Sequence, residues 1–214
     1  MGLFGGKSGS SGSSAGSART PRHSSGWLQL SKHLNARDSL RILDIGPTSA
    51  GNINFITNLG HSVYMANLVE DSARPEYSIT PTEGPDAGKS ILDVDRFLQE
   101  NLDFAGRTFD VVTLWDTADY LPPALVDPVI NRLYDVMEPG GQLLALFHSK
   151  PTGDDTTFSR YHLTATDFLE LQRIGGHPVR QVFTTRQVEA LFKRYRSHKF
   201  FLAKDTIREV IVIR

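Results

Sequence analysis

The chain of 214 residues contains no cysteine. That excludes a disulfide scaffold, a thiolate metal site and a cysteine nucleophile. No apolar run approaches the roughly 18 residues of a membrane-spanning helix. Neither sign of charge dominates: 23 Lys and Arg face 24 Asp and Glu, for a formal net charge of −1. So even a balance gives no electrostatic argument for a nucleic-acid or anionic-membrane partner. Seven histidines are present, but no two share the close spacing of a metal-binding pair, so no metal site is expected. Beyond the Gly/Ser-rich N-terminal tract there is also no Gly-x-Ser-x-Gly elbow of a serine hydrolase.

Residues 1–26, MGLFGGKSGSSGSSAGSARTPRHSSG, are mostly Gly and Ser. With little but Leu3 and Phe4 to bury, they cannot offset their ordering entropy, and a disordered tail is expected. Gly6-Lys7-Ser8 ends like a phosphate-binding loop, but Met1 stands where the pattern needs Gly and no strand precedes it. Met1-Gly2 begins like an acylation signal, yet residue 6 is Gly rather than Ser or Thr. The tract lacks the apolar centre of a secretory leader, so a cytoplasmic location is expected. Residues 27–214 are long enough for one α/β domain.

Periodicity gives the order of elements. Ser25 to Ala36 reads as an amphipathic helix, Arg41 to Ile45 as a strand, and Ile53 to Leu59 as a helix stopped by Gly60. His61 to Asn67 reads as a second strand, completing a right-handed βαβ unit. Residues 70–90 read as a loop, and Ile91 to Leu102 fits a helix or contains a short strand. Phe109 to Leu114 is a buried strand, Pro123 to Met137 a helix, and Gln142 to Phe147 the next strand after Pro139-Gly140-Gly141. A helix is expected over Thr164 to Ile174, capped by Thr164 or Thr166. Another begins at Thr184, whose spacing to Gln187 is that of a capping box. His198 to Ala203 and Ile207 to Ile213 read as a closing antiparallel hairpin.

The stretch LDIGPTSAGN, Leu43 to Asn52, joins the first of these strands to its helix. A loop in that position presents unpaired backbone amides to the crevice above a parallel sheet, where ligands bind in open α/β folds. Gly46 lets a ligand approach the main chain, and Asp44 can accept hydrogen bonds from loop amides or from a ligand ammonium.

Here the chain resembles the class I S-adenosylmethionine-dependent methyltransferases. Asp44, Gly46, Thr48 and Ala50 fall on the family's acid-x-Gly-x-Gly-x-Gly motif, with Thr48 and Ala50 in place of two glycines. ENLDFAGRTFDVV (Glu100 to Val112) is similar to the family's lead into its fourth strand. LWDTADYLPP (Leu114 to Pro123) is similar to the loop that follows, and MEPGGQLLALF (Met137 to Phe147) to the Pro-Gly-Gly turn and fifth strand. The resemblance covers nearly all of 27–214. It implies a Rossmann-like, doubly wound, mainly parallel seven-stranded sheet ending in an antiparallel hairpin.

The resemblance also implies S-adenosylmethionine as cofactor, S-adenosylhomocysteine as product, and transfer of a methyl group to a small-molecule acceptor. It places cofactor contacts at Asp44, Gly46, Pro47 and Thr48. Asn67 and Leu68 would meet the ribose, with Asn67 where relatives carry an acid. Asn101 and Leu102 are the nearest counterparts of the adenine contacts, and Trp115 and Asp116 follow the fourth strand. Tyr120 and His148 are candidate catalytic residues: an imidazole at the crevice mouth has an intrinsic pKa suited to a general base. Tyr120, His148, Tyr161 and His162 are candidate acceptor contacts. The substituted glycines keep open an alternative, a non-catalytic scaffold of the same fold with weakened cofactor binding. A nicotinamide dehydrogenase fits poorly, because GPTSAG lacks the middle glycine of GxGxxG and Asn67 replaces the acid.

Overall fold

The computed structural model describes residues 18–150, 157–201 and 205–214. Its centre is a six-stranded sheet. Strand β2 (Arg41–Ile45) pairs in parallel with β3 (Ser62–Ala66) on one side and β6 (Phe109–Trp115) on the other. β6 pairs in parallel with β7 (Met137–His148), which pairs antiparallel with β11 (Ile207–Ile213). β10 (Ser197–Phe201) closes that edge as the other arm of the hairpin. The spatial order is β10-β11-β7-β6-β2-β3, six strands where seven are expected. Beyond β3 the chain forms a separate two-residue ribbon of β4 (Ser78–Ile79) and β5 (Ile91–Leu92) instead of a further sheet strand.

Alternation along the strands builds a core on each face. Leu43, Ile45, Leu143, Ala145 and Phe147 point to one side, against α6 (Pro123–Val136) and α7 (Thr185–Leu191). Ile42, Leu144 and Leu146 point to the other, where α1 (Ser25–Asn35) and α2 (Ala50–Asn58) lie. Trp27, Leu30 and Leu34 bury the inner stripe of α1, and Ser24 caps it by accepting from Trp27 N at 3.0 Å. α4 (Val94–Asn101) follows β5, capped by Asp93, so Ile91 to Leu102 holds both a short strand and a helix. The Thr184–Gln187 capping box forms as expected. Early in β7, Gly141 is required: an added Cβ would lie 2.9 Å from Glu138 O and 3.1 Å from Asp110 O.

Two expectations need correction. Thr164 to Ile174 is not a helix. It holds a Thr-built turn followed by β9 (Phe168–Arg173), in which Leu169 and Leu171 pack inward on every second residue. The threonine hydroxyls that resemble a helix cap instead bond the amides of Thr166 and Phe168. Part of the expected tail is a strand: β1 (Arg19–His23) pairs antiparallel with β9, which pairs with β8 (Ser159–His162). Residues 19–23, placed in the tail by composition, thus form a strand, and residues 1–17 lie outside the described residues. Arg22, in β1, is buried against Glu209 of β11, an ion pair that periodicity cannot reveal.

Candidate active site

Sheet order reverses at β2, with β3 on one side and β6 on the other, and ligands of open α/β sheets bind at such a switch point. The loop from Gly46 to Ser49 leaves β2 here, and Ser49 caps α2 by accepting from Asn52 N at 3.1 Å. Gly46 has φ +149°, and a Cβ there would lie 3.2 Å from Trp115 Cδ1. Asp44 is buried beneath the loop. Its Oδ1 accepts from Thr113 Oγ1 at 2.6 Å and Trp115 Nε1 at 2.7 Å, and its Oδ2 from Thr48 Oγ1 at 2.7 Å. Burial pushes the Asp44 carboxyl above its usual range, and these hydrogen bonds act against that. Thr48, which stands in place of a glycine, thus ties the loop to the acid.

Strand β8 lies across the same loop. Arg160 Nε donates to Pro47 O at 2.7 Å, and His162 Nδ1 lies 3.1 Å from Ser49 Oγ. Asn52 Nδ2 donates to Tyr161 O at 2.8 Å, and Leu163 N donates to Asn52 Oδ1 at 3.0 Å. The Tyr161 ring stacks on Trp115, with centroids 5.0 Å apart and planes 7° from parallel. Tyr161 Oη donates to Asp116 Oδ2 at 2.9 Å. His162 Nε2 meets Gln172 Oε1 at 2.9 Å, and burial lowers its pKa. His162 is thus held at both ring nitrogens, and burial disfavours its charged form.

On the β6–β7 side, α5 (Thr117–Tyr120) brings Asp119 to the end of β7. Asp119 Oδ2 accepts from both His148 N at 2.6 Å and His148 Nδ1 at 2.8 Å. Asp119 Oδ1 is buried with no partner among the described residues. Tyr120 meets the His148 ring edge-on at 5.9 Å. Asp116, Asp119, Tyr120, His148 and Tyr161 are each 2% exposed or less. Burial pushes the Asp116 carboxyl up to about 6, the neighbouring His148 lowering it and Asp119 raising it. The Tyr120 and Tyr161 hydroxyls are raised by burial and by nearby Asp116, so both stay protonated.

The sequence thus points to Asp44, Gly46, Pro47, Thr48, Trp115, Asp116, Tyr120, His148, Tyr161 and His162, and these gather around the ends of β2, β6 and β7. Asn67 ends β3, and Leu68 opens the short α3 (Leu68–Asp71) as a core residue. Asn101 and Leu102 serve other partners: Asn101 Nδ2 donates to Tyr77 Oη and Phe97 O, both at 2.9 Å, and Leu102 is core. Sequence reading missed Asp119 and Arg160. Only Asp119 left a signal, an acid three residues after Asp116 on one helical turn.

An adenosyl amino-acid ligand has partners here. Asn67 Oδ1 is buried and unpartnered among the described residues, an acceptor suited to a ribose hydroxyl. Gly46 has no Cβ, so the Trp115 indole is the group that stands close beside it. The fit has one condition, that the Trp115 indole beside Gly46 moves.

The sequence model of the methyltransferase-domain family matches residues 20–195. No match is found among curated proteins. Among solved structures, a Pyrococcus horikoshii OT3 protein is 17% identical at TM-score 0.50, covering 88% of each chain. A Clostridium acetobutylicum S-adenosylmethionine-dependent methyltransferase is 13% identical at TM-score 0.47, covering 87% of this chain and 89% of its own. The 1,6-didemethyltoxoflavin-N1-methyltransferase of Burkholderia thailandensis is 14% identical at TM-score 0.45, covering 89% of this chain and 78% of its own. With a family match over most of its length, on a sheet of this order, the chain belongs to the methyltransferase-domain family and is a class I S-adenosylmethionine-dependent methyltransferase.

Proposed function

We propose that the chain methylates a protonated nucleophilic atom of a small molecule, with His148 as the base that takes the acceptor's proton. The carrying observation is the doubled contact of Asp119 Oδ2 with His148 N and Nδ1. A carboxylate only accepts, so it holds the imidazole proton on Nδ1 and leaves the basic lone pair on Nε2. S-adenosylmethionine supplies the methyl group on a sulfonium that needs no further activation. The chain's own work is to hold the acceptor in line and to remove its proton. Protonated Tyr120, edge-on to the His148 ring, borders the acceptor beside that base. Burial of this cluster favours a small acceptor, or a narrow group, over a folded surface.

Methyl-labelled S-adenosylmethionine, incubated with the protein and a size-fractionated cell extract, tests the acceptor class. Label should enter the low-molecular-weight fraction, and label confined to macromolecules would refute it. His148→Gln should lower the labelling rate by on the order of 10²-fold while S-adenosylhomocysteine still binds. Equal rates would remove His148 from the chemistry.

A further inference from the structure

The Trp115 ring lies beside Gly46, where an added Cβ would be 3.2 Å from its Cδ1. Trp115 adopts φ +47° although it carries a Cβ. Such a conformation persists only where the surroundings over-determine it. Here they do so from two sides. Asp44 Oδ1 fixes the indole N–H at 2.7 Å, and Tyr161 covers the opposite part of the ring system in a nearly parallel stack. Tyr161 is itself fixed at its hydroxyl by Asp116 and at its carbonyl by Asn52. The loop, the acid beneath it and β8 therefore form one closed circuit of contacts, with Trp115 at its centre.

Two carboxylates take part in that circuit, Asp44 and Asp116, and both are buried. Internal donors engage both: Thr113, Trp115 and Thr48 bond Asp44, and Tyr161 bonds Asp116. The ammonium of an adenosyl amino-acid ligand can donate hydrogen bonds to a buried acid in place of an internal donor, while its sulfonium contributes positive charge alone. Exchange of one set of partners for the other is possible only if the stack parts, because the indole edge occupies the space beside Gly46.

We infer that Tyr161 is a gate residue: it clamps Trp115 over Gly46, and the cofactor's amino-acid end enters only after the Tyr161–Trp115 stack opens and the indole leaves Asp44. The inference rests on the reading of the Gly46 loop as the cofactor site. It sets access to that site rather than the chemistry performed there. Binding is then limited by opening, with a population of the competent state that Tyr161 controls. The Tyr161 hydroxyl holds the gate shut through its bond to a buried carboxylate, and the ring does so by stacking.

Stopped-flow tryptophan fluorescence of the full chain with S-adenosylhomocysteine is the test. In the wild type, the observed rate should reach a plateau as ligand concentration rises, the plateau being the opening rate. Tyr161→Phe keeps the ring and loses the hydroxyl; it should raise the plateau about tenfold, the scale of one hydrogen bond to a charged group. Tyr161→Ala should raise it further, and Trp115→Phe should abolish the fluorescence change. Thermal melts identify any variant that does not fold, and Tyr161→Phe decides the matter if the alanine variant is lost. Binding by Tyr161→Ala alone would also support the gate. Rates linear in ligand and equal in wild type and both Tyr161 variants would overturn it while leaving the cofactor site intact. No binding by any folded form at millimolar ligand would overturn the cofactor-site reading and the gate together.

Discussion

One oxygen of Asp119 receives two hydrogen bonds from a single residue, His148, through its backbone N–H at 2.6 Å and its ring Nδ1 at 2.8 Å. The backbone bond fixes where the end of β7 lies, and the ring bond fixes which way the imidazole faces. Both groups are buried, so water cannot replace either contact without disturbing the packing. Asp119 is thus a positioning residue for His148.

Asp119→Asn is expected to lower kcat by on the order of 10²-fold, the scale of general-base catalysis. The amide oxygen can still accept from His148 N, so the fold should hold. What is lost is the anionic acceptor that selects the Nδ1 tautomer. The affinity for S-adenosylhomocysteine should change little, and the pH dependence of kcat should shift. A variant with reduced cofactor affinity and an unchanged pH profile would reassign Asp119 to structure alone.

Much of this site is legible in the chain, for identifiable reasons. Asp44 and Gly46 stand at the end of an apolar strand, and the Met137 to Phe147 turn and strand carry their own glycines, so local pattern suffices. Thr184 and Gln187 announce their helix three residues apart. Partnerships across long separations are different. Arg22 meets Glu209 and Asn52 meets Tyr161 through tertiary contacts that no window of sequence contains. The strand Phe168–Arg173 was hidden by threonines that imitate a helix cap, and its partner β1 lay inside a tract whose composition reads as disordered. Trp115 could be placed in the crevice from sequence, but not its orientation, which depends on Tyr161 and Asp44 together.

Asp116 sets a pH dependence of stability. Its carboxyl titrates at about 6 in the folded protein against a reference of 3.8, chiefly through burial, with Asp119 adding to the shift and His148 and Tyr161 opposing it. A raised acid pKa means that the folded state binds the proton that the unfolded state has released. Its contribution is fully present below the unfolded pKa and is lost as pH rises through the folded one. Between about pH 4 and 6 this group alone should lower unfolding free energy by about 3 kcal/mol, an order-of-magnitude figure from one pKa unit being 1.36 kcal/mol. Asp44 and Asp119 are shifted in the same direction by burial. Urea denaturation at closely spaced pH values should show stability falling across this window, and Asp116→Asn should flatten part of the fall. An unchanged slope in the variant would show that Asp116 ionises in the folded state as readily as in the unfolded one.

The N-terminal strand is held to the hairpin by a buried ion pair, and its removal should be among the costlier single changes available. Arg22 Nη1 lies 2.5 Å from Glu209 Oε1, and Gly26 N donates to Glu209 Oε2 at 2.6 Å. One carboxylate therefore secures both β1 and the start of α1, where an anion is also favoured by the helix dipole. Asp205 engages the same guanidinium from a more exposed position, and screening by solvent makes that contact the weaker one. Arg22→Met leaves Glu209 buried with the Gly26 amide as its one partner among the described residues. Loss of one member of a buried pair typically costs about 3–5 kcal/mol. Replacing both residues, as Arg22→Met with Glu209→Leu, removes the stranded charge and should recover a large part of that loss. The pair of single variants and the double variant form a thermodynamic cycle, read by urea denaturation at neutral pH. A cost below about 1 kcal/mol for Arg22→Met would mean that the helix N-terminus alone satisfies the carboxylate, and that β1 is held by its ladder with β9.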